Sequence, residues 1–407
     1  MKKIIIIIFV LISIIGCTKD NNKPISSNEI EFWHFWSEPY QKGLIDSLVQ
    51  DFEKANSCRV NVSLLSWADG KTKLLAAFNS GTAPDVLELG SDWVPQFSSV
   101  GVLKELDNAT EARNQFLDFS LQPSFWKNKL YALPWVVDTR VLFANLDLLT
   151  KVGIKINSDS ALTYDKLLLY SDKANTGNGY YGIGITGSDA HKLYKKLLPM
   201  FWSYGGGVFD KKGKLILDCP ENIKALEMYC SLSRNGLIET QRQLDAGFVQ
   251  GKIAFCFSGS WMIDRIRTEN PKLNYATLLM PEVNGNKGIS FAGGEYLSIC
   301  NNSKNPKLAE KFIRYMTDGI NSSKFCKKIN VAGFPADKKY YNSSEILFLA
   351  NKKVFAQQLN YSRMTPMNPK WLDIEPIIEE AAVEVLYGKK SAEEALKEAK
   401  QKILDML

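Results

Sequence analysis

Apolar and polar positions along the chain switch repeatedly between a period of two and a period near four. Ile30 to Trp36 (I-E-F-W-H-F-W) reads as a strand that ends in aromatics. A helix is predicted next, with Ser37 as its cap, Pro39 in the first turn, and Tyr40, Leu44, Leu48 and Phe52 spaced by four. Arg59 to Leu65 alternates again as a second strand, Asp69 caps a helix through Phe78, and the turn cluster Ser80 to Asp85 leads into the strand Val86 to Leu89. This β-α-β-α-β order predicts a mostly parallel sheet covered by helices.

The later pattern repeats the theme. Leu130 to Trp135 reads as a strand and Val141 to Leu149 as a further apolar segment, with a crossing between domains placed at Val136 to Arg140. Helices are predicted from Thr163 to Lys173, around Lys192 to Trp202, from Pro220 to the stop at Asn235-Gly236, and from Pro306 to Met316. Val331 to Ala336, punctuated by Gly and Pro, is read as another crossing. Two helices close the chain, around Ile374 to Tyr387 and from Ser391 to Leu407.

Phe248 to Trp261 (F-V-Q-G-K-I-A-F-C-F-S-G-S-W) organises the second half. Ile253 to Phe257 is too short for a helix and reads as a buried strand. It stops at Ser258-Gly259-Ser260, small residues that permit a sharp turn, and Trp261 then opens a new helical pattern. By itself such a Trp closes a strand-helix corner; the alternative is a flat stacking platform, because open α/β sheets bind ligands where strands meet helix N-termini.

At 407 residues, with 45% hydrophobic and 23% charged residues, the chain has room for two domains and a large core. Its formal charge of +6 is spread over both halves without a basic block, which argues against nucleic acid as a partner. The N-terminus is more informative. Met1-Lys2-Lys3 followed by the apolar run Ile4 to Ile15 is too short to span a bilayer, where about 20 residues are needed, but suits an export signal. Ile14-Ile15-Gly16-Cys17 resembles a bacterial lipobox, so residues 1–16 are read as a leader, Cys17 as the lipidated residue and membrane anchor, and 17–28 as a polar tether. The other six cysteines, Cys58, Cys219, Cys230, Cys256, Cys300 and Cys326, form no C-x-x-C, so zinc is not expected and no pairing follows.

Catalytic patterns are sparse. The two histidines, His34 and His191, lie far apart and outside H-E-x-x-H, and neither G-x-S-x-G nor a phosphate-binding G-x-x-x-x-G-K-[ST] occurs. Gly182 to Gly187 matches G-x-G-x-x-G, but the polar Thr176 to Tyr181 replaces the apolar strand a dinucleotide site requires. No pair of carboxylates is singled out for glycoside hydrolysis. No cofactor, metal or enzymatic activity is singled out by these patterns, and glycan cleavage is left as the main enzyme alternative.

Taken in order, the segments resemble the family 1 extracellular solute-binding proteins, the maltose-binding-protein-like sugar receptors of ABC importers. The resemblance rests on F-W-H-F-W, on F-N-S-G-T-A-P-D-V at Phe78 to Val86, on L-P-W with L-F-A-N-L-D-L-L and V-G-I between Leu133 and Ile154, and on T-Y-D-K-L from Thr163. It continues in Y-G-G-G-V-F-D at Tyr204 to Asp210, F-V-Q-G-K-I-A with G-S-W, K-N-P-K-L-A-E-K-F-I-R-Y-M from Lys304, and Y-G-K-K-S-A-E-E-A-L from Tyr387. The resemblance implies an α/β, two-lobed periplasmic-binding-protein type II fold. Each lobe would be a mixed, mostly parallel sheet flanked by helices, with the ligand cleft between them. It implies an N-lobe of residues 29–137 and 289–335 and a C-lobe of 138–288 and 336–407. The implied protein is a monomer that hands a sugar or oligosaccharide to ABC permease subunits. The alternatives are the same fold with a glycerophosphodiester, polyamine or iron as ligand, or a glycan-cleaving enzyme.

Sugar rings stack their C–H faces on aromatics while their hydroxyls need fixed donors and acceptors. On the family pattern the contacts implied are Trp36, Ser37 and Glu38 after the first strand, Asp92 after the A-P-D-V strand, and Trp261 in G-S-W. Asp138 and Arg140 fall in a region that carries an acidic contact, one residue shorter here, so either of them can point inward. Trp67, Trp93, Trp135, Trp202 and Trp371 are further aromatic candidates, and Gly293, Gly294 and Glu295 form a candidate loop between lobes. Trp33, inside its strand, is read as core, and Trp126 as structural.

Overall fold

The computed structural model describes residues 28–407 except 68, 157–161, 188, 330–331 and 348–349. The leader, Cys17 and the tether up to residue 27 lie outside the described residues, as does Val331 of the second crossing.

The first lobe is built on β1 (Glu29–His34), β2 (Arg59–Leu64) and β3 (Val86–Gly90), three parallel strands joined by helices. β1 alternates half-buried and buried residues, as its sequence pattern requires. After a small hairpin of β4 (Phe125–Trp126) and β5 (Lys129–Leu130), β6 (Ala132–Thr139) joins the same sheet. The second lobe holds β7 (Val141–Asn145), β8 (Tyr181–Thr186), β9 (Gly236–Glu239), β10 (Ile253–Ser258) and β11 (Tyr275–Leu278). The chain then returns to the first sheet as β12 (Ser290–Ile299), β13 (Phe334–Pro335) and β14 (Ser362–Arg363).

Among the described residues the first sheet has the order β13-β6-β12-β3-β1-β2, with β14 on β12, and the second the order β11-β7-β10-β8-β9. Both are mixed. The β-α-β units supply the parallel pairs β1–β2, β1–β3, β8–β10 and β8–β9. The strands that carry the chain between lobes run against their neighbours: β12 against β3 and β6, and β7 against β10 and β11. The sheets are therefore less parallel than the opening β-α-β pattern implied, because a local β-α-β reading says nothing of strands that return from another lobe. Only Arg140 separates β6 from β7, so the passage between sheets falls on that residue.

Local chemistry sets several boundaries. The cap of helix Pro39–Asn56 is Glu38, not Ser37, because Pro39 takes the first helical position; the Glu38 backbone N–H donates to Gln41 Oε1 at 3.2 Å. The apolar run after Val141 is a strand that becomes the helix Leu146–Lys151, where Asn145 Oδ1 accepts from the backbone N–H groups of Asp147 and Leu148 at 3.1 Å each. Gly182 is a packing glycine: a Cβ there would collide with the Ser171 carbonyl of the neighbouring helix. The last helix, Ala392–Met406, opens on a reciprocal box in which Ser391 Oγ accepts from the Glu394 N–H and the Ser391 N–H donates to Glu394 Oε2. The six cysteines among the described residues are free.

Candidate functional site

β10 is buried along its whole length in the middle of the second sheet, and its C-terminal end aims the chain at the gap between lobes. The turn is governed by one packing fact. The Trp261 indole lies across Gly259 so closely that any Cβ at that position would collide with the ring. Trp261 is then the first residue of the helix Trp261–Glu269, and its Nε1–H donates to Asp245 Oδ2 at 2.8 Å. Asp245 is buried and also accepts from Gln241 Nε2 at 2.7 Å and Ser258 Oγ at 3.0 Å, so the indole is held by a carboxylate that is itself fixed. The Arg140 guanidinium sits 5.1 Å from the Trp261 ring centre and 5.1 Å from that of Phe291, and pairs with Asp138 at 3.0 Å.

Facing this wall are residues of the first lobe. β3 ends at Gly90, and Ser91 and Asp92 follow at its carboxyl end; the Ser91 N–H donates to the Gly294 carbonyl at 3.0 Å, tying the loop to β12. Trp67 is half exposed and stacks on Phe35 with ring centres 4.1 Å apart at 19°. Trp36 presents its edge to Phe325 and Trp135. These residues enclose a cleft of about 270 Å³, lined by Trp36, Trp67, Asp92, Asp138, Arg140 and Trp261, with Gly293, Gly294 and Glu295 of β12 along its floor. Both members of the Asp138–Arg140 alternative reach it.

Burial shapes the charges here. It pushes the Glu295 carboxyl up to about 8, with the nearby Asp138 adding to the effect and Arg140 opposing it. Burial likewise raises Asp138, against the pull of Arg140. The cleft thus offers one carboxyl that is protonated near neutrality, carboxylates and guanidinium in fixed orientation, and three indoles.

Six expected residues lie outside this cleft. Ser37 and Glu38 are exposed at the start of the first helix. Trp93 is 8% exposed and braces Trp67 and Phe35 with its edge. Trp135 is wholly buried, its ring 4.5 Å from Phe325 beneath Trp36. Trp371 is wholly buried against Tyr194. Trp202 borders a separate cavity of about 550 Å³ together with Phe119, Val208 and Met364. The four indoles among them turn their side chains to the interior or to another cavity.

Lys195, Phe291, Ser91 and Ala332 also line the cleft and were not foreseen. Asp245 and Tyr194 act one step behind it. Asp245 carried a readable signal: it shares the core-facing side of its helix with Gln241, Leu244 and Phe248, an odd place for an acid.

Residues 38–318 match the family described as bacterial extracellular solute-binding protein. The chain belongs to that family. This solute-binding protein is 25% identical over 406 residues to the galactooligosaccharide-binding protein of Bacillus subtilis, covering 96% of this chain and 93% of that one. It is 26% identical over 405 residues to the maltodextrin-binding protein MdxE of the same organism, with the same coverage. In structure it is similar to the GacH receptor of Streptomyces glaucescens, with a TM-score of 0.81 at 23% identity over 93% of this chain and 98% of that one. The two-lobed α/β architecture is that of these receptors.

Proposed function

We propose that the protein is the receptor of an ABC-type importer, capturing a sugar or oligosaccharide between its lobes and presenting it to the permease. The observation that carries the reading is the lining of the cleft: Trp36, Trp67 and Trp261 stand among Asp92, Asp138, Arg140 and Glu295. Flat apolar rings among rigid hydrogen-bonding groups are what a pyranose, with its C–H faces and equatorial hydroxyls, complements. The saccharides named for the Bacillus subtilis relatives support the same ligand class.

Both lobes line the cleft, so a ligand touching both favours the closed arrangement over the open one. The bodies that close are taken as residues 29–137 with 289–335, and 138–288 with 336–407, except that the end of β6 (through Thr139) and β14 (Ser362–Arg363) go with the first sheet. The receptor acts by binding and release, without turnover of its ligand. It works outside the cytoplasm as a monomer, anchored through lipidated Cys17.

Native mass spectrometry of gently purified protein, followed by calorimetry with a panel of oligosaccharides, tests the proposal. A co-purifying saccharide and saturable binding in the micromolar range, about 8 kcal/mol, are expected. Cleavage of the saccharides, or binding to none of them, overturns it.

A further inference from the structure

A second cavity of about 400 Å³ adjoins the cleft behind Trp261 and shares Trp261, Arg140 and Lys195 with it. Its charge is lopsided. Arg140, Lys192, Lys195, Lys196, Arg242 and Arg265 border it, against the single acid Asp245. The cleft proper is nearly balanced, with Asp92, Asp138 and Glu295 facing Arg140 and Lys195.

The partners of these cations divide them. Arg140 pairs with Asp138, Lys192 with Asp189 at 3.5 Å and Arg265 with Glu269 at 2.7 Å. Lys196 is nine-tenths buried and its ammonium donates to the Phe257 carbonyl at 3.0 Å. Lys195 and Arg242 have no ion pair among the described residues; Lys195 instead lies over the rings of Tyr194 and Phe291 at 5.4 and 5.5 Å. Burial and the neighbouring Arg140 push Lys196 down to about 8, as expected where like charges are held together.

The backbone adds to the field. The helices Tyr194–Ser203, Gln241–Val249 and Trp261–Glu269 all place first-turn residues on the cavity, so three positive helix ends converge there. Some of their N–H groups are already taken. The Gln241 N–H donates to Asp189 Oδ2, and the Tyr194 N–H to Glu379 Oε1. Recognition therefore falls to the side chains, with the helix ends supplying potential.

We infer that the cavity behind Trp261 is an anion subsite, and that the ligand is an acidic oligosaccharide whose carboxylate, sulfate or phosphate group seats among Lys195, Lys196, Arg242 and Arg265 while its ring lies in the cleft. This rests on the saccharide reading of the cleft. Guanidinium and ammonium groups at one end of a sugar site distinguish an acidic ring from a neutral one of the same shape, because the neutral ring leaves the cations unpaired.

Calorimetry with the intact mature chain tests this. The probes are a uronic-acid oligosaccharide, its carboxyl-reduced neutral counterpart, and sulfated and phosphorylated disaccharides, each at 50 and 300 mM NaCl. At least one acidic probe is expected to bind ten times or more tighter than the neutral counterpart and to weaken at higher salt, and the probe that binds identifies the anion. Arg242→Gln, at an exposed position, is expected to weaken the acidic probe at least fivefold and leave the neutral one unchanged. Equal binding of acidic and neutral probes, or an acid preference that survives in Arg242→Gln combined with Arg265→Gln, overturns the subsite and leaves the saccharide reading standing. Binding of no probe overturns both.

Discussion

The Tyr194 hydroxyl donates a hydrogen bond to Asp92 Oδ2 at 3.2 Å, joining the second lobe to the first at the edge of the cleft. Tyr194 is wholly buried, its ring set against Trp371 and Phe291, so the hydroxyl has one place to go. Tyr194→Phe keeps the packing and removes only the bond. The expected result is a stability loss of about 1 kcal/mol and a ligand-free molecule with a larger radius of gyration by small-angle scattering. A variant with the scattering profile of the parent would mean that the bond does not hold the lobes together.

The Gly259–Trp261 contact makes a sharper test of the site. Gly259→Ala puts a methyl group where the indole lies, so the ring must leave its position or the turn must move. Ligand affinity is expected to fall at least tenfold, with a stability cost of about 1–3 kcal/mol from overpacking. Gly43→Ala is the control: a Cβ there meets nothing within 4 Å, and the residue sits inside the helix Pro39–Asn56, where Ala is preferred. Its expected effect is neutral or stabilising, up to about 1 kcal/mol, without change in affinity. Unaltered affinity in Gly259→Ala would show that the indole position is irrelevant to the ligand.

Much of this was legible in the residues. The strand Ile253–Ser258, its small-residue stop and Trp261 as the opening of a helix are local matters, and periodicity with turn chemistry reads them directly. The indoles are harder. Trp135 lies in β6, where seven of eight residues are buried, so no alternation distinguishes a face toward the cleft from one toward the core. Tyr194 was hidden for another reason: its hydroxyl matters because Asp92, 102 positions earlier, meets it in space. The basic cavity is of the same kind, since Lys195, Arg242 and Arg265 are unremarkable singly and converge only when three helix starts do.

Trp67 and Trp135 are the same residue type at opposite extremes, and paired substitutions separate their roles. Trp67 is half exposed, supported on one face by Phe35 and at its edge by Trp93. Trp67→Ala is expected to cost about 1 kcal/mol of stability or less and at least fivefold in affinity. Trp135 is fully buried against Phe325, and Trp135→Ala is expected to cost about 3–5 kcal/mol. Its affinity per folded molecule should change only through the loss of support under Trp36. Urea denaturation with calorimetry on the folded fraction reads both quantities, and the reverse ranking would exchange the two assignments.

Glu295 gives the cleft a pH dependence whose sign is fixed by its environment. Burial, and then the Asp138 charge, lift its carboxyl from the ordinary 4.5 to about 8. A carboxyl raised on folding favours the folded state while it is protonated. Its contribution is complete below about pH 4.5 and is lost as pH climbs through 8. Glu295→Gln mimics the protonated form at every pH, so the variant and parent should have matching stability at pH 4. At pH 9 the variant should be more stable by roughly 1–2 kcal/mol, less than the full shift would give, because the side chain is partly open to the cleft. Urea denaturation at both pH values measures the difference. Comparing the variant with the parent cancels the raised carboxyls Asp245, Glu375 and Glu379, whereas Glu88 and Asp138 interact with the Glu295 charge and contribute to the difference. Equal stability of variant and parent at both pH values would mean that cleft water solvates the carboxylate fully. Glu295 would then meet a ligand near neutrality as an anion, a poor neighbour for an acidic sugar, whereas a protonated Glu295 meets it as a neutral hydrogen-bond donor.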